Sequence, residues 1–174
     1  MTVLLSQTKR AIVELVKQVP YFERFSEEEL RALVNQGHRQ TIEPNQIICY
    51  EDDPGDSFYI LLSGSVEVIS TRTGKYIATL QAADIFGEIA LLTGTPRTAT
   101  VRAVTSVKLF VIHHNQLQML LEQHPDLASY LAQKLCERQQ SLIGLGVITA
   151  EDLTNPREDT FVLVHKRILD QFVV

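Results

Sequence analysis

The sequence has little cysteine, no excess of positive charge and no long apolar run, and each absence narrows what the chain can do. Its 174 residues include 16 lysines and arginines against 21 aspartates and glutamates, which gives a formal net charge of −5. Because neutralising nucleic-acid phosphates needs a basic face, this balance argues against DNA or RNA as a partner. A small anion can still bind where positive charge is concentrated locally.

The cysteines and the apolar segments indicate the compartment. Cys49 and Cys136 lie far apart and have no spacing suited to zinc, so no disulfide framework is expected and a reducing cytoplasm is indicated. Residues 1–5 are too short an apolar run for a signal sequence, and no window reaches the roughly 18 apolar residues of a membrane span. We therefore expect a cytoplasmic chain that reaches a membrane only through a partner or a parent protein.

Patterns that carry catalysis or hold metals are also missing. No His-x-His with a downstream glutamate occurs, and His113 and His114, as neighbours at a strand end, would point to opposite faces. There is no serine, cysteine or aspartate nucleophile with an adjacent base, and no Gly-x-x-x-x-Gly-Lys loop. We expect no enzyme activity, no catalytic residue, no metal and no cofactor.

The first part of the chain predicts two helices. Residues 6–19 repeat apolar side chains at helical spacing, and Pro20 ends the repeat. A second helix lies between Ser26 and Gly37: Ser26 and Glu29 form a capping box, and Gly37 stands where a left-handed cap is expected.

From residue 40 to residue 112 the pattern changes to short segments rich in β-branched and aromatic residues, broken by turn signals about every ten residues. We predict an α+β fold: an antiparallel β-roll, similar to a jelly-roll barrel, with N-terminal helices and two C-terminal helices. The candidate strands are residues 46–51, 57–62, 65–70, 75–80 and 98–112, the last split near 105–106.

Helical patterns return after the strands. Residues 114–123 predict one helix, and His124-Pro125 opens a second that runs to about residue 144 or 146. Residues 159–174 have apolar side chains at near-helical spacing and favour a terminal helix, docked on its own domain or on a partner. The predicted divisions are an N-terminal helical segment (1–38), the β-roll (39–113), a helix pair acting as hinge and lid (114–146), and a linker with a terminal amphipathic helix (147–174).

Residues 86–100 carry the functional signal and are called the cassette below. Backbone N–H groups in the first turn of a helix are unpaired and partly positive, so the turn after Gly87 can hold a phosphate. Arg97 adds a planar, permanently charged fork that matches two phosphate oxygens. Glu88 can accept hydrogen bonds from a sugar hydroxyl. Phosphate and ribose in one small site indicate a nucleotide; an ordinary surface ion pair beside an ordinary turn is the alternative.

The cassette, Phe-Gly-Glu-Ile-Ala-Leu-Leu-Thr-Gly-Thr-Pro-Arg-Thr-Ala-Thr, resembles the signature of cyclic nucleotide-binding domains at every fixed position. The resemblance covers roughly residues 18–142 and implies the same β-roll architecture. In that family the glutamate contacts the ribose, the arginine pairs with the cyclic phosphate, and backbone amides near the alanine complete the phosphate site. The ligand-binding residues implied here are Gly87, Glu88, Ile89, Ala90, Arg97, Thr98, Ala99 and Arg138.

Two of these residues bear on the base. In cyclic-GMP-dependent kinases, a threonine directly after the arginine contacts the guanine. Bacterial domains that respond to cAMP also often have Ser or Thr at this position, so Thr98 is compatible with both nucleotides. Because the sequence is bacterial in character, cAMP is favoured. Arg138 is similar in place to the lid arginine of a bacterial cyclic-nucleotide-gated potassium channel. It could stack on the purine; a solvated helix residue paired with Glu137 or Glu151 is the equal alternative.

Our expectation is a non-enzymatic, bacterial-type sensor of a cyclic purine nucleotide that relays binding through its C-terminal helices. The effector would be a domain or protein outside this chain, such as a membrane channel or transporter. Too few residues follow the long helix for a helix-turn-helix, so DNA binding is not expected. The alternatives are a nucleotide-independent interaction module with the same fold and a metal-dependent barrel enzyme. A homo-oligomer formed through the late helix is left open.

Overall fold

The computed structural model describes residues 2–144 and 160–172, with side chains described for residues 7–137 and 165–172. Three helical elements precede the strands, one short helix lies among them, and three helices follow. The helices are α1 (Thr2–Val16), a 3-10 turn (Pro20–Phe22), α2 (Glu27–Gln36), α3 (Glu88–Thr93), α4 (His114–Gln123), α5 (Asp126–Gly144) and α6 (Thr160–Phe172).

The strands form two four-stranded sheets, ordered β1-β8-β3-β6 and β2-β7-β4-β5. Neighbouring strands within each sheet pair in antiparallel orientation. This confirms the predicted α+β roll with helices at both ends. The strands are β1 (His38–Ile42), β2 (Ile47–Cys49), β3 (Ser57–Ser63), β4 (Val66–Ser70), β5 (Lys75–Leu80), β6 (Ile85–Phe86), β7 (Thr100–Ala103) and β8 (Val107–His113).

Strand β8 shows why the roll and the helices form one body. Side chains alternate between the two faces of a strand. Val107, Leu109 and Val111 lie in the core inside the roll, whereas Phe110 and Ile112 lie in the core formed with the helices. Both faces of this strand are therefore buried, which explains its nearly continuous apolar sequence.

Several boundaries differ from the sequence predictions. Helix α1 ends at Val16 rather than at Pro20, because the chain turns through 3-10 geometry before the proline. The sequence did not reveal β1, an edge strand with only Ile42 buried, or β6, which has two residues. The capping box of α2 is present as predicted.

Gly37 was predicted to be a left-handed cap, and this was wrong. Its backbone is extended, with φ −73° and ψ 172°. A Cβ at this position would overlap the ring of Phe110. The glycine is therefore required by the close approach of the Phe110 ring and not by its own backbone angle.

Helix α6 packs against the domain. Ile168 and Phe172 are both fully buried in the helical core, and the imidazole of His114, the first residue of α4, stacks on the Phe172 ring. Gln171 lies against Gly94 at the end of α3. Of the part of the chain that the structure describes, no helix is long and apolar enough to cross a membrane.

Candidate functional site

The cassette begins with a helix held between two left-handed glycines. Gly87 caps the N-terminus of α3 with φ 82°, and Gly94 caps its C-terminus with φ 68°. A Cβ at Gly87 would also overlap Nη1 of Arg97. Glycine is therefore required at position 87 by two independent constraints, the backbone angle and the nearby guanidinium.

Arg97 is clamped through its backbone and its side chain. Its N–H donates to the carbonyl of Asp53 at 2.8 Å, and its carbonyl accepts from the N–H of Asp52 at 2.9 Å. The guanidinium donates from Nη1 to the carbonyl of Gly87 at 2.9 Å and from Nη2 to Oγ of Ser57 at 3.4 Å. These bonds direct the guanidinium to the N-terminal end of α3.

The charge of Arg97 is buried without a carboxylate partner among the described side chains. Only 5% of the residue is exposed. Arg31, Arg72 and Arg102 each form an ion pair with a carboxylate, whereas Arg97 forms none with a side chain in the described part of the chain. Because a buried charge is costly unless it is compensated, this guanidinium is suited to receive an anion.

The remaining contacts of Arg97 are with an aromatic ring and a glycine. Its Cζ lies 5.6 Å from the ring centroid of Tyr59, which is within cation–π range. Gly55 approaches both sides of the cassette: a Cβ there would overlap Cβ of Ala90 and would lie 3.1 Å from Cζ of Arg97. The turn at residues 53–56 thus closes one side of the site.

The other cassette residues fall around this centre. Glu88 is the first residue of α3, and its carboxylate is buried, with 3% of the residue exposed. Ala90 is buried, while Ile89 and Ala99 are half-buried and Thr98 is exposed. Gly87, Glu88 and the guanidinium of Arg97 thus lie together at the N-terminal end of α3. The roles of the cassette residues as ligand contacts stay predictions.

Thr100 and Arg138 lie outside the group around Arg97 and Glu88. Thr100 is buried, and its Oγ1 accepts a hydrogen bond from the N–H of Glu51 at 2.9 Å. The backbone of Arg138 lies in α5, but its side chain lies outside the described residues. Its proposed stacking on a base stays a prediction.

Sequence reasoning missed four contributors to the site. The sequence marked residues 53–56 only as a turn and residues 57–62 only as a strand, and their proximity to Arg97 depends on the pairing of distant segments. A glycine and polar residues directly before an apolar strand were the available signal. The missed residues are Asp53, Gly55, Ser57 and Tyr59.

The fold and the site together define a β-roll domain with a buried guanidinium at the start of a short helix inside the roll. Residues 39–124 match the sequence profile described as the cyclic nucleotide-binding domain, and the chain belongs to this family. The cyclic nucleotide-gated potassium channel mll3241 of Mesorhizobium japonicum is 32% identical over 126 residues, covering 72% of this chain and 34% of the channel.

Two further similarities concern the sequence and the fold. The cAMP-dependent protein kinase regulatory subunit of Yarrowia lipolytica is 36% identical over 106 residues, covering 61% of this chain and 28% of the subunit. A solved structure described as cAMP-bound PfPKA-R (141–441) shares the fold, with a TM-score of 0.69, 23% identity and coverage of 84% of this chain and 50% of the other. The chain spans about a third of the length of these two curated relatives.

Proposed function

We propose that this chain is a regulatory module that senses a cyclic purine nucleotide, with cAMP as the preferred ligand and cGMP as the alternative. The role requires binding and conformational change without a catalytic step. The observation that carries the proposal is Arg97, a buried guanidinium without a carboxylate partner among the described side chains, directed at the glycine-capped start of α3. A cyclic phosphate would supply the missing negative charge at that point.

The other ligand groups are assigned by position. Amides in the first turn of α3 are suited to the remaining phosphate oxygens. Glu88, buried at the same end of the helix, is suited to accept from a ribose hydroxyl. The preference for cAMP is supported by the names of the Yarrowia lipolytica subunit and of PfPKA-R in its cAMP-bound form. The exposed Thr98 beside Arg97 keeps cGMP as the alternative.

Relay from the site to the C-terminal helices is supported by a short series of contacts. Ser57 touches the Arg97 guanidinium, and its neighbour Asp56 accepts, through its carbonyl, a 2.7 Å hydrogen bond from the N–H of His114. His114 begins α4 and stacks on Phe172 of α6. A ligand that shifts Arg97 or α3 therefore acts close to the first residue of the helix pair. The effector lies outside this chain, and a channel, as in the Mesorhizobium relative, is one candidate.

The test is calorimetric titration with cAMP and with cGMP of the wild-type chain and of Arg97→Ala. Losing a charge-assisted phosphate contact should cost about 1.5–3 kcal/mol, or roughly ten- to hundredfold in affinity. Arg102→Ala is the matched control, because Arg102 lies on the following strand with its charge paired to Glu67. We expect the control to bind like the wild type.

The opposite result would point to another function. The chain must be folded and freed of any ligand carried through purification. If it then binds neither nucleotide, the proposed sensor function is wrong. A nucleotide-independent interaction module would then be the better explanation of the fold. If Arg102→Ala weakens binding as strongly as Arg97→Ala, the phosphate site is not centred on Arg97.

A further inference from the structure

Glu51 follows β2, and its carboxylate lies against the tip of the β4–β5 hairpin. The side chain is 3% exposed. One oxygen, Oε2, accepts from the N–H and the hydroxyl of Thr71 at 2.5 and 2.6 Å and from the N–H of Arg72 at 3.3 Å. The other, Oε1, accepts from Nε of Arg72 at 3.0 Å and from Oγ of Ser70 at 3.4 Å. A single carboxylate therefore binds donors from three consecutive hairpin residues.

These donors keep the carboxylate ionised. Burial acts to raise the pKa of Glu51, but the hydrogen bonds from Thr71 and the N–H and charge of Arg72 outweigh it, and the net pKa lies below the usual glutamate value. The guanidinium of Arg72 also pairs with Oδ1 of Asp52 at 3.1 Å, so its charge faces Glu51 and Asp52. Charged hydrogen bonds are stronger than neutral ones, so the hairpin tip is firmly tied to the end of β2.

The segment that Glu51 begins is the one that holds the cassette arginine. The N–H of Glu51 donates to Oγ1 of Thr100 at 2.9 Å. Asp52 and Asp53 then exchange backbone hydrogen bonds of 2.9 and 2.8 Å with Arg97. Residues 51–53 thus form a strip that turns through a left-handed Asp52, with φ 70°. This strip lies between the hairpin on one side and the backbone of Arg97 on the other.

We infer that Glu51 is a positioning residue for Arg97: its buried carboxylate anchors the 51–53 strip to the β4–β5 hairpin, and the strip sets where the guanidinium lies. The inference rests on the proposed function for the identity of the ligand. It makes a distinct claim about the empty protein, because the strip holds the Arg97 backbone whether or not a nucleotide is bound. Glu51 does not touch the guanidinium, so it acts only through residues 52 and 53.

The ligand-free test is amide hydrogen exchange, resolved by residue, in the wild type and in Glu51→Gln. The glutamine keeps the size of the side chain and removes its charge. We expect the N–H of Arg97 to exchange about tenfold faster or more in the variant, while the amides of β8 are unchanged. Thr71→Val, which removes one donor from the hairpin side, should give a smaller change in the same direction. Unchanged exchange at Arg97 in both variants would overturn the inference.

The second test measures whether Glu51 acts through Arg97. In a double-mutant cycle with cAMP, Glu51→Gln should weaken binding about tenfold in the wild type and less than about threefold in the Arg97→Ala background. Glu67→Gln is the matched control, since Glu67 lies on β4 of the same hairpin but pairs with Arg102 instead of the hairpin tip. If Glu51→Gln lowers the affinity for cAMP equally in both backgrounds, Glu51 has a merely structural role. That result would overturn the inference while the proposed function stands. Absence of binding in the wild type would overturn the proposed function instead, and the exchange test would still decide the role of Glu51.

Discussion

The imidazole of His114 stacks on the ring of Phe172, with centroids 4.4 Å apart and planes 18° from parallel. This contact joins the first residue of α4 to the last turn of α6. Phe172 has no exposed surface, and Gln171 beside it lies against the Gly94 cap of α3. The terminal helix is therefore packed against both the cassette helix and the start of the helix pair.

Phe172→Ala should release α6 from the domain. Truncating a buried phenylalanine removes about 3–5 kcal/mol of packing when the surroundings cannot adjust. Here α6 can separate from the roll, so its own amides should lose protection while those of β8 keep theirs. Hydrogen exchange measured along the chain tests this, with Tyr76→Ala as a control at an aromatic side chain that is 60% exposed. Protection of α6 that survives the substitution would contradict the packing role of Phe172.

Gly87→Ala should destabilise the fold and weaken nucleotide binding together. A left-handed backbone costs an alanine about 1–2 kcal/mol, and the new Cβ would also displace Nη1 of Arg97. Gly74→Ala separates the two effects, because Gly74 has φ 66° and no atom within 4 Å of the added Cβ. We expect Gly74→Ala to lower the free energy of unfolding without changing affinity. Denaturant titration and calorimetry on both variants check this, and equal affinity losses would contradict it.

Sequence patterns predicted the secondary structure best where residues close together in the chain determine it. The capping box at Ser26 and Glu29 formed as expected, because both partners lie within one helical turn. Helix α4 begins and ends at the predicted residues, 114 and 123. The pattern failed for β1, since an edge strand exposed along most of its length shows no apolar alternation.

The cassette shows the same limit within the candidate site. Its residue types and spacing identified Gly87, Glu88 and Arg97 as a group, and the structure places them at one end of α3. The support beneath Arg97 was not visible in the sequence, because Asp53 and Ser57 lie about forty residues away and contact Arg97 only in the folded chain. Gly37 was explained by the wrong cause for a related reason, since the Phe110 ring that requires it is distant in sequence.

Ala83→Gly should stabilise the protein. Ala83 has φ 73°, a left-handed angle that alanine adopts at a cost of about 1–2 kcal/mol. Glycine removes that cost but loses more backbone entropy on folding, so we expect a net gain of about 0.5–1 kcal/mol in the free energy of unfolding. Ala78→Gly, within β5, should instead destabilise by about 0.5–1 kcal/mol. Urea unfolding of both variants is the measurement, and a loss of stability in Ala83→Gly would contradict the expectation.

The charge of Glu51 should make part of the stability dependent on pH. Because its pKa is lower in the folded protein than in the unfolded chain, its ionised form stabilises the fold above the ordinary glutamate value of about 4.3. That contribution is lost as the pH falls through the lowered folded value. Glutamine cannot titrate, so the difference in unfolding free energy between wild type and Glu51→Gln should be constant near neutral pH and should shrink below about pH 4.

Chemical denaturation at a series of pH values measures this difference directly. Glu28→Gln, at an exposed position in the first turn of α2, corrects for the general effect of removing one carboxylate. The wild type is expected to have a larger unfolding free energy than Glu51→Gln at neutral pH. If this difference stays constant down to pH 2, the Glu51 contacts stabilise the fold through shape and not through charge. An advantage that fades only under acid conditions would support the ionised carboxylate as the group that ties the hairpin to the strip holding Arg97.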